Sequence, residues 1–95
     1  MITSKQRAAL RAMANTMDTI LHLGKGGVSE AVCLQASQAL EARELIKITV
    51  LNNSDCTARQ AAAAIAEAVN AEIVQVIGSR AVLYKKNHKN PQIIL

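Results

Sequence analysis

The apolar residues of this chain recur with two different periods that alternate along the sequence, and this alternation is the strongest constraint on the fold. Spacings of three and four residues predict amphipathic helices. Spacings of two, and short apolar runs, predict strands. The predicted elements are helix 4–16, strand 19–23, helix 30–43, strand 45–51, helix 56–70, strand 73–77 and strand 81–85. Helices placed between strands imply crossover connections, so the order αβαβαββ predicts a single two-layer α/β domain with a four-stranded mixed sheet.

Short polar and glycine signals mark where these elements begin and turn. Thr3, followed three residues later by Gln6, is a capping-box pattern that predicts the start of the first helix. Ser29 is placed to cap the second helix. Gly78 and Ser79 separate the last two strands, and a glycine at the first central position of a two-residue loop predicts a type II′ hairpin.

The core of such a domain must be aliphatic. Hydrophobic residues make up 51% of the 95 residues, but there is no Phe or Trp, and Tyr84 is the single tyrosine. A chain of this length buries about two-thirds of its unfolded surface, which supports one modest core. The scarcity of aromatic rings excludes functions that need an aromatic platform, such as base stacking on the sheet of an RRM-type domain.

The basic residues concentrate at the two ends of the chain. The net charge of +4 divides into +3 over residues 1–25, −3 over 26–79 and +4 over 80–95. If the two ends meet in the fold, the domain has a basic face that attracts phosphate chains or anionic lipid. The alternative is a dispersed charge that only keeps the protein soluble. For the basic C-terminal strand, a further alternative is protection of a sheet edge from aggregation.

The strongest local motif is Gly24-Lys25-Gly26-Gly27. It lies between a predicted strand and a predicted helix, where glycines permit a tight bend and let a ligand approach backbone N–H groups. The helix start contributes a partial positive charge and Lys25 a full one, which together favour an anion. The spacing fits neither GxxxxGK[ST] nor GxGxxG. It fits GxxG with a basic residue inside, the form by which KH domains clamp a nucleic-acid backbone. An ordinary strand-to-helix turn is the alternative.

The sequence offers little for catalysis or metal binding. His22 and His88 are the two histidines, and neither belongs to a spaced set of ligands. His22 is expected to face solvent or a helix, with contact to a nucleic acid beside the glycine loop as the alternative. Glu41 and Glu44 fit a solvated helix face rather than an acid–base pair. We therefore expect no enzymatic activity, no cofactor, no metal and no small-molecule substrate.

The cysteines and the apolar runs bear on where the protein acts. Cys33 and Cys56 lack CxxC spacing and are expected to be reduced, mostly buried thiols of a cytoplasmic protein. Charged or polar residues interrupt every apolar run before it is long enough to cross a membrane. The first residues also lack the apolar core of a signal peptide.

Several segments carry a family pattern in a fixed order. They are Lys5-Gln6-Arg7, then Leu23-Gly24-Lys25-Gly26-Gly27, then Ala39-Leu40-Glu41 with Glu44-Leu45-Ile46-Lys47, and finally Val76-Ile77-Gly78 with Val82-Leu83-Tyr84-Lys85. This ordered set resembles the CRM (CRS1–YhbY) RNA-binding domain, in particular its stand-alone bacterial YhbY-type members. One departure is Asp18-Thr19, where many members of the family have a proline shortly before the first strand.

The resemblance implies a fold similar to the C-terminal domain of translation initiation factor three. It implies a CRM RNA-binding domain over residues 1–86 and a tail over 87–95. It also implies that the GxxG loop and basic residues of the first helix contact RNA, and that this RNA belongs to a precursor of the large ribosomal subunit. With the other basic residues near the chain ends, the predicted RNA-binding set is Lys5, Arg7, Arg11, Gly24, Lys25, Gly26, Gly27, Arg80, Lys85 and Lys86.

Two hypotheses of different kinds follow. The first is a non-enzymatic, cytoplasmic RNA-binding protein of large-subunit assembly, a monomer or weak dimer that binds mainly through charge and shape. The second is a protein-interaction or dimerisation module with no direct nucleic-acid role, acting through residues 93–95 of the tail or through the alanine-rich third helix. Association that survives high salt favours the second hypothesis, because salt screens phosphate contacts but not apolar ones.

Overall fold

The computed structural model describes residues 2–89, 91 and 93. Within them, the helices and strands follow the order αβαβαββ. They are α1 (Ser4–Ala14), β1 (Leu21–Leu23), α2 (Glu30–Arg43), β2 (Leu45–Val50), α3 (Ala58–Val69), β3 (Glu72–Ile77) and β4 (Arg80–Tyr84). The predicted element order is confirmed, and the boundaries agree with the predicted ones to within two residues.

Side-chain caps fix the starts of the helices. Thr3 and Gln6 form the predicted capping box of α1, in which the Gln6 N–H donates to Thr3 Oγ1 at 3.1 Å and the Thr3 N–H donates to Gln6 Oε1 at 2.9 Å. Thr57 and Gln60 repeat this arrangement at α3, which is why α3 begins later than predicted. Ser29 caps α2. Each cap contributes about 1 kcal/mol.

The strands form one mixed sheet in the order β1-β2-β4-β3. β1 is parallel to β2, and β4 is antiparallel to both β2 and β3. β1, β2 and β3 therefore all end on the same side of the sheet, which we call the loop end. Residues 24–27 leave β1 there, and the predicted two-residue hairpin of Gly78 and Ser79 joins β3 to β4 there, with Gly78 at φ 56°.

Helices cover both faces of the sheet, which adds a third layer to the two that were predicted. α2 and α3 pack on one face over an aliphatic core that includes Ile48, Ile65 and Leu83. α1 packs against β2 and β3 from the other side, which we call the α1 face. There Leu10 of α1 meets Val82 of β4 in a smaller apolar cluster. Side chains alternate between the two faces of a sheet. The extra layer forms because β2, β3 and β4 carry apolar side chains on both faces, and each face needs a helix to cover it.

Glu44 departs most from the sequence-based expectations. A solvated side chain is predicted, but Glu44 is 0% exposed. Its φ of 64° turns the chain from α2 into β2. Its carboxylate accepts hydrogen bonds from the backbone N–H groups of Asn87 and Ile93, both at 2.8 Å. Asn87 and Ile93 are thus held against the domain; Ile94 and Leu95 lie outside the described residues.

The two cysteines are less buried than the sequence predicts. Cys33 in α2 and Cys56 ahead of α3 are free and half-buried. Across residues 2–89, 91 and 93, none of the helices has both the length and the hydrophobicity that crossing a bilayer requires.

Candidate functional site

The glycine motif forms a closed turn at the loop end of the sheet. The Gly27 N–H donates to the Gly24 carbonyl at 3.0 Å, so Lys25 and Gly26 occupy the tip of the turn. Both tip residues are exposed. Gly27 has φ 59°, a left-handed conformation that favours glycine. We call residues 24–27 the GKGG loop.

The GKGG loop packs on the segment that follows β2. A Cβ placed on Gly24 would lie 3.6 Å from Asn53 Oδ1, and one placed on Gly27 would lie 3.7 Å from Cys56 Sγ. The Leu51 N–H also donates to the Leu23 carbonyl at 2.8 Å, which extends the β1–β2 ladder to the base of the loop. The segment after β2 thus supports the loop from this side.

The outer side of the GKGG loop is open. A Cβ added to Gly26 would meet no described atom within 4 Å. α2 begins three residues after the loop, and Ser29 Oγ accepts from the Val32 N–H at 3.2 Å. The first N–H groups of a helix have no acceptor within the helix. The partial positive charge of this helix start adds to the Lys25 ammonium, so the loop suits an anion.

Two other predicted basic residues lie toward this end of the molecule. Arg80 is exposed at the start of β4, opposite Thr49 of β2 and beside the β3–β4 hairpin. Arg11 is exposed in the last turn of α1. The C-terminal end of α1 faces the loop end, because Ala14 and Asn15 line a shallow depression together with Arg80.

Arg7 is engaged in the fold at the far edge of the sheet from β1. Its Nη1 donates to the backbone carbonyls of Ile73 and Val74, the latter at 3.1 Å. The register of β3 against β4 shifts between Ile73 and Gln75, which is a β-bulge. Because a bulge leaves backbone groups without ladder partners, the Arg7 guanidinium completes the hydrogen bonding of this edge.

The other predicted basic residues lie at the opposite end of the sheet from the GKGG loop. Lys85 follows the end of β4, and its Nζ donates to the Val69 carbonyl at the end of α3, at 2.8 Å. Lys86 is exposed beside it and lines an open cavity of about 760 Å³. Lys5 is exposed in the first turn of α1, next to Gln6, which lines the same cavity. The predicted set is therefore divided between two ends of the molecule.

Sequence reasoning did not select three residues that the sheet brings to its α1 face. Lys47 of β2 lies on the α1 face and donates from Nζ to the Met17 carbonyl at 3.0 Å. Thr49, on the same face, shares a 2.8 Å hydroxyl contact with Thr19. Ile77 is 61% exposed at the end of β3. The missing signal is the pairing register of distant strands, which local patterns do not specify.

Burial, and to a smaller extent the nearby Glu44 carboxylate, raise the pKa of Tyr84 above its ordinary value of 10.0. In the described part of the chain, no three His, Cys, Asp or Glu side chains lie close enough together to hold a metal ion.

Known proteins match the whole length of this chain. The sequence model of the CRS1 / YhbY (CRM) domain matches residues 2–85. A Bacillus subtilis (strain 168) protein named "Probable RNA-binding protein YqeI" is 42% identical over 95 residues, which are 100% of this chain and 99% of that protein. A Haemophilus influenzae protein named "RNA-binding protein" is 31% identical over 88 residues, which are 93% of this chain and 89% of that protein.

A solved structure matches the fold as well. It is the solution structure of the hypothetical protein SAV1595 from Staphylococcus aureus, for which RNA binding has been suggested. The TM-score is 0.82 at 42% identity, and the match covers 100% of this chain and 99% of that one. The predicted α/β fold with its four-stranded mixed sheet is thereby confirmed.

Proposed function

Because the chain belongs to the CRS1 / YhbY (CRM) domain family, we propose that it binds RNA and that the GKGG loop holds the RNA backbone. The relatives named as RNA-binding proteins support the partner class. The geometry of the loop supports the mode of binding. The protein acts as a binding module rather than an enzyme, with no cofactor.

The observation that carries the proposal is the exposed tip of the GKGG loop. Lys25 is presented to solvent on a turn that the Gly24–Gly27 hydrogen bond closes. Gly26 leaves the adjacent backbone uncovered. A phosphate at the tip would receive the Lys25 charge and backbone N–H donors together, and the start of α2 would add its partial charge.

The basic residues divide into an inner and an outer group in this proposal. Arg11 and Arg80 lie toward the loop end and extend the contact with the backbone. Lys5 and Lys86 lie at the other end and serve as outer contacts for a longer RNA. Arg7 and Lys85 already donate to backbone carbonyls, so they contribute mainly through their positive charge.

The cellular role proposed is assembly of the large ribosomal subunit in the cytoplasm, with ribosomal RNA of a subunit precursor as the partner and the protein a monomer or weak dimer. Its support is the family membership. Gradient fractionation of cell extract with crosslinking tests it: the protein should travel with immature large subunits and crosslink to their RNA. Sedimentation with free protein only would contradict this role.

The binding mode is tested by Lys25→Glu, with Lys89→Glu as the control. Both lysines are exposed, and both changes alter the net charge equally, but Lys89 lies in the segment after β4. We expect Lys25→Glu to weaken RNA binding and to reduce the slope of log affinity against log salt by about 0.7 for each lost phosphate contact. Lys89→Glu should leave the slope nearly unchanged. Equal effects of the two changes would contradict a specific role of the loop.

The alternative of a protein-interaction module is tested by the same salt titration. Ile93, one of its proposed contacts, packs within the domain against the cluster around Leu10. The buried side of the alanine-rich α3, including Ala61, Ala62 and Ile65, packs in the larger core. If the protein associates with a partner equally well at low and high salt, the interaction module is favoured over RNA binding.

A further inference from the structure

One row of side chains crosses all four strands at the loop end of the sheet. Backbone pairing places His22 of β1 opposite Thr49 of β2, Thr49 opposite Arg80 of β4, and Arg80 opposite Ile77 of β3. Three interstrand spacings make this row about 14 Å long. We call His22, Thr49, Arg80 and Ile77 the cross-strand row.

The four side chains of the cross-strand row share the α1 face. The residue next to each of them along its strand packs in the core on the other face: these neighbours are Leu23, Ile48, Val76 and Ala81. Because side chains alternate along a strand, the row itself points away from that core.

α1 leaves the cross-strand row uncovered. The helix packs against β2 and β3, and its apolar cluster with the sheet is built from residues nearer the other end, such as Leu45 and Tyr84. His22 and Arg80 are exposed, Thr49 is half-buried, and Ile77 is 61% exposed. The row is therefore a strip of sheet in which the side chains of His22, Arg80 and Ile77 reach solvent, while the Thr49 hydroxyl contacts Thr19.

The cross-strand row has the chemistry that recognises unpaired bases. Bases splayed from single-stranded RNA stack on histidine rings and on arginine guanidinium planes as well as on Phe, Tyr and Trp. Ile77 offers an apolar surface, and the Thr49 hydroxyl both donates and accepts hydrogen bonds. A chain with no Phe or Trp thus still presents two planar groups on its sheet, His22 and Arg80, one on each side of Thr49.

Charge and continuity argue for RNA as the occupant of this strip. Two basic residues of the strands, Lys47 and Arg80, lie on the α1 face. The acidic Glu72 pairs with Tyr84 at the opposite end of the sheet, away from the row. His22 is separated from the GKGG loop by Leu23 alone. An RNA whose phosphates lie at Lys25 can therefore place its next bases on the row without leaving the surface.

We propose that the cross-strand row binds the unpaired bases of a single-stranded RNA segment whose backbone the GKGG loop holds. This inference rests on the proposed function and extends it from backbone contact to base contact. It makes the domain selective for unpaired RNA over duplex RNA, whose bases are stacked within the helix.

The test compares an oligouridylate of about 12 nucleotides, a length typical of single-strand sites, with an abasic oligomer of equal length. The two probes carry the same phosphates but differ in their bases. We expect the wild-type protein to bind the oligouridylate at least about fivefold more tightly, since stacking of one base is worth that much or more. His22→Ala and Ile77→Ala should reduce this preference without changing the salt slope.

Matched controls are available for both changes. His88→Ala removes an exposed histidine at the opposite end of the sheet. Leu34→Ala removes an apolar side chain of α2 that is 59% exposed, close to the 61% of Ile77. Both control variants should retain the full preference for the oligouridylate.

The outcomes separate this inference from the proposed function. Equal affinity of the wild-type protein for the two probes, or an unchanged preference in both row variants, overturns base contact while leaving backbone binding intact. A wild-type protein that binds neither probe at low salt overturns the proposed function itself. If Ile77→Ala abolishes self-association in sedimentation but leaves RNA binding unchanged, the row is a contact between copies and the inference is wrong.

Discussion

The backbone N–H of Ile93 donates a 2.8 Å hydrogen bond to the Oε1 atom of Glu44, 49 residues earlier in the chain. The other carboxylate oxygen accepts from the Asn87 N–H, also at 2.8 Å. A carboxylate that is fully buried is costly unless hydrogen bonds compensate its lost hydration. Glu44 therefore ties the end of α2 to Asn87 and Ile93, whose N–H groups in turn stabilise the buried carboxylate.

Replacing Glu44 should destabilise the domain substantially. Glu44→Ala leaves the N–H groups of Asn87 and Ile93 without their charged acceptor, and each hydrogen bond to a charged group contributes about 1.5–3 kcal/mol. Because the change also removes the cost of burying a carboxylate, we expect less than the sum of the two bonds: the free energy of unfolding, measured by urea titration, should fall by about 2–4 kcal/mol. Glu41→Ala, at an exposed position of α2, is the control and should change it by less than about 0.5 kcal/mol. A small effect of Glu44→Ala would mean that the clamp is absent in solution.

Stability should also fall at high pH because of Tyr84. Burial first, and the Glu44 carboxylate second, raise the pKa of this phenol above 10.0. Above pH 10 the unfolded chain loses the phenolic proton while the folded protein keeps it, so the unfolded state gains relative stability. The free energy of unfolding should therefore decline as the pH rises through and above 10, and Tyr84→Phe should remove this component.

The titration of Tyr84 can be observed directly. Since the chain contains a single tyrosine, the ultraviolet absorbance of tyrosinate reports this residue alone. The folded protein should ionise at a higher pH than the urea-unfolded protein. Coincident titration curves would show that Tyr84 is hydrated in the native state.

Local patterns predicted the elements of the fold but not the contacts between distant ones. Capping at Thr3 and the hairpin at Gly78 depend on neighbours within a few residues, so the sequence specifies them. The burial of Glu44 depends on backbone groups more than 40 residues away. The third layer depends on which strands α1 covers. Neither is encoded in a short spacing.

In the candidate site, too, the sequence predicts the local feature but not the arrangement of distant residues. The GKGG loop is contiguous, and its turn geometry follows from its glycines. The basic residues were grouped by their position near the chain ends, on the expectation that the ends meet. Instead the sheet separates Arg80 from Lys85 by its full strand length, and Arg7 donates to β3. The number of basic residues near each chain end does not show where the fold places their side chains. The predicted RNA-binding set is therefore divided between two ends of the molecule.

Two neighbouring glycines of the loop should respond differently to alanine. Gly27 has φ 59°, so Gly27→Ala should lower the free energy of unfolding by about 1 kcal/mol through backbone strain. An added Cβ on Gly26 meets no described atom within 4 Å, so Gly26→Ala should leave stability within about 0.5 kcal/mol of the parent. Urea titration of both variants measures the difference.

A larger side chain at Gly26 also tests how closely RNA approaches the tip of the loop. If the RNA backbone contacts the tip of the loop, Gly26→Val should weaken binding although the fold is unaffected, because the side chain occupies the space of the ligand. Ala63→Val, at an exposed position of α3 on the domain surface, adds similar bulk elsewhere and should bind RNA as the parent does. Parental affinity of Gly26→Val would show that the tip is not approached closely.

Arg7 and Arg11 separate a structural arginine from a solvent-facing one on the same helix. Arg7 donates to the carbonyls of Ile73 and Val74 at the β3 bulge, whereas Arg11 is exposed one turn later. Arg7→Ala should therefore lower the free energy of unfolding by about 1–3 kcal/mol, because the carbonyls lose a charged donor. Arg7→Lys should recover only part of this loss, since an ammonium lacks the planar fork of donors.

Arg11→Ala should show the opposite pattern. Its stability should remain within about 0.5 kcal/mol of the parent, while its RNA affinity should fall and its salt slope should decrease by about 0.7 if Arg11 contacts one phosphate. Hydrogen exchange of the β3 amides supplies a second readout, because only Arg7→Ala should accelerate exchange at this edge. Equal destabilisation by the two alanine changes would contradict the role assigned to Arg7. It would indicate that the helix itself, rather than the bond to the bulge, stabilises this edge of the sheet.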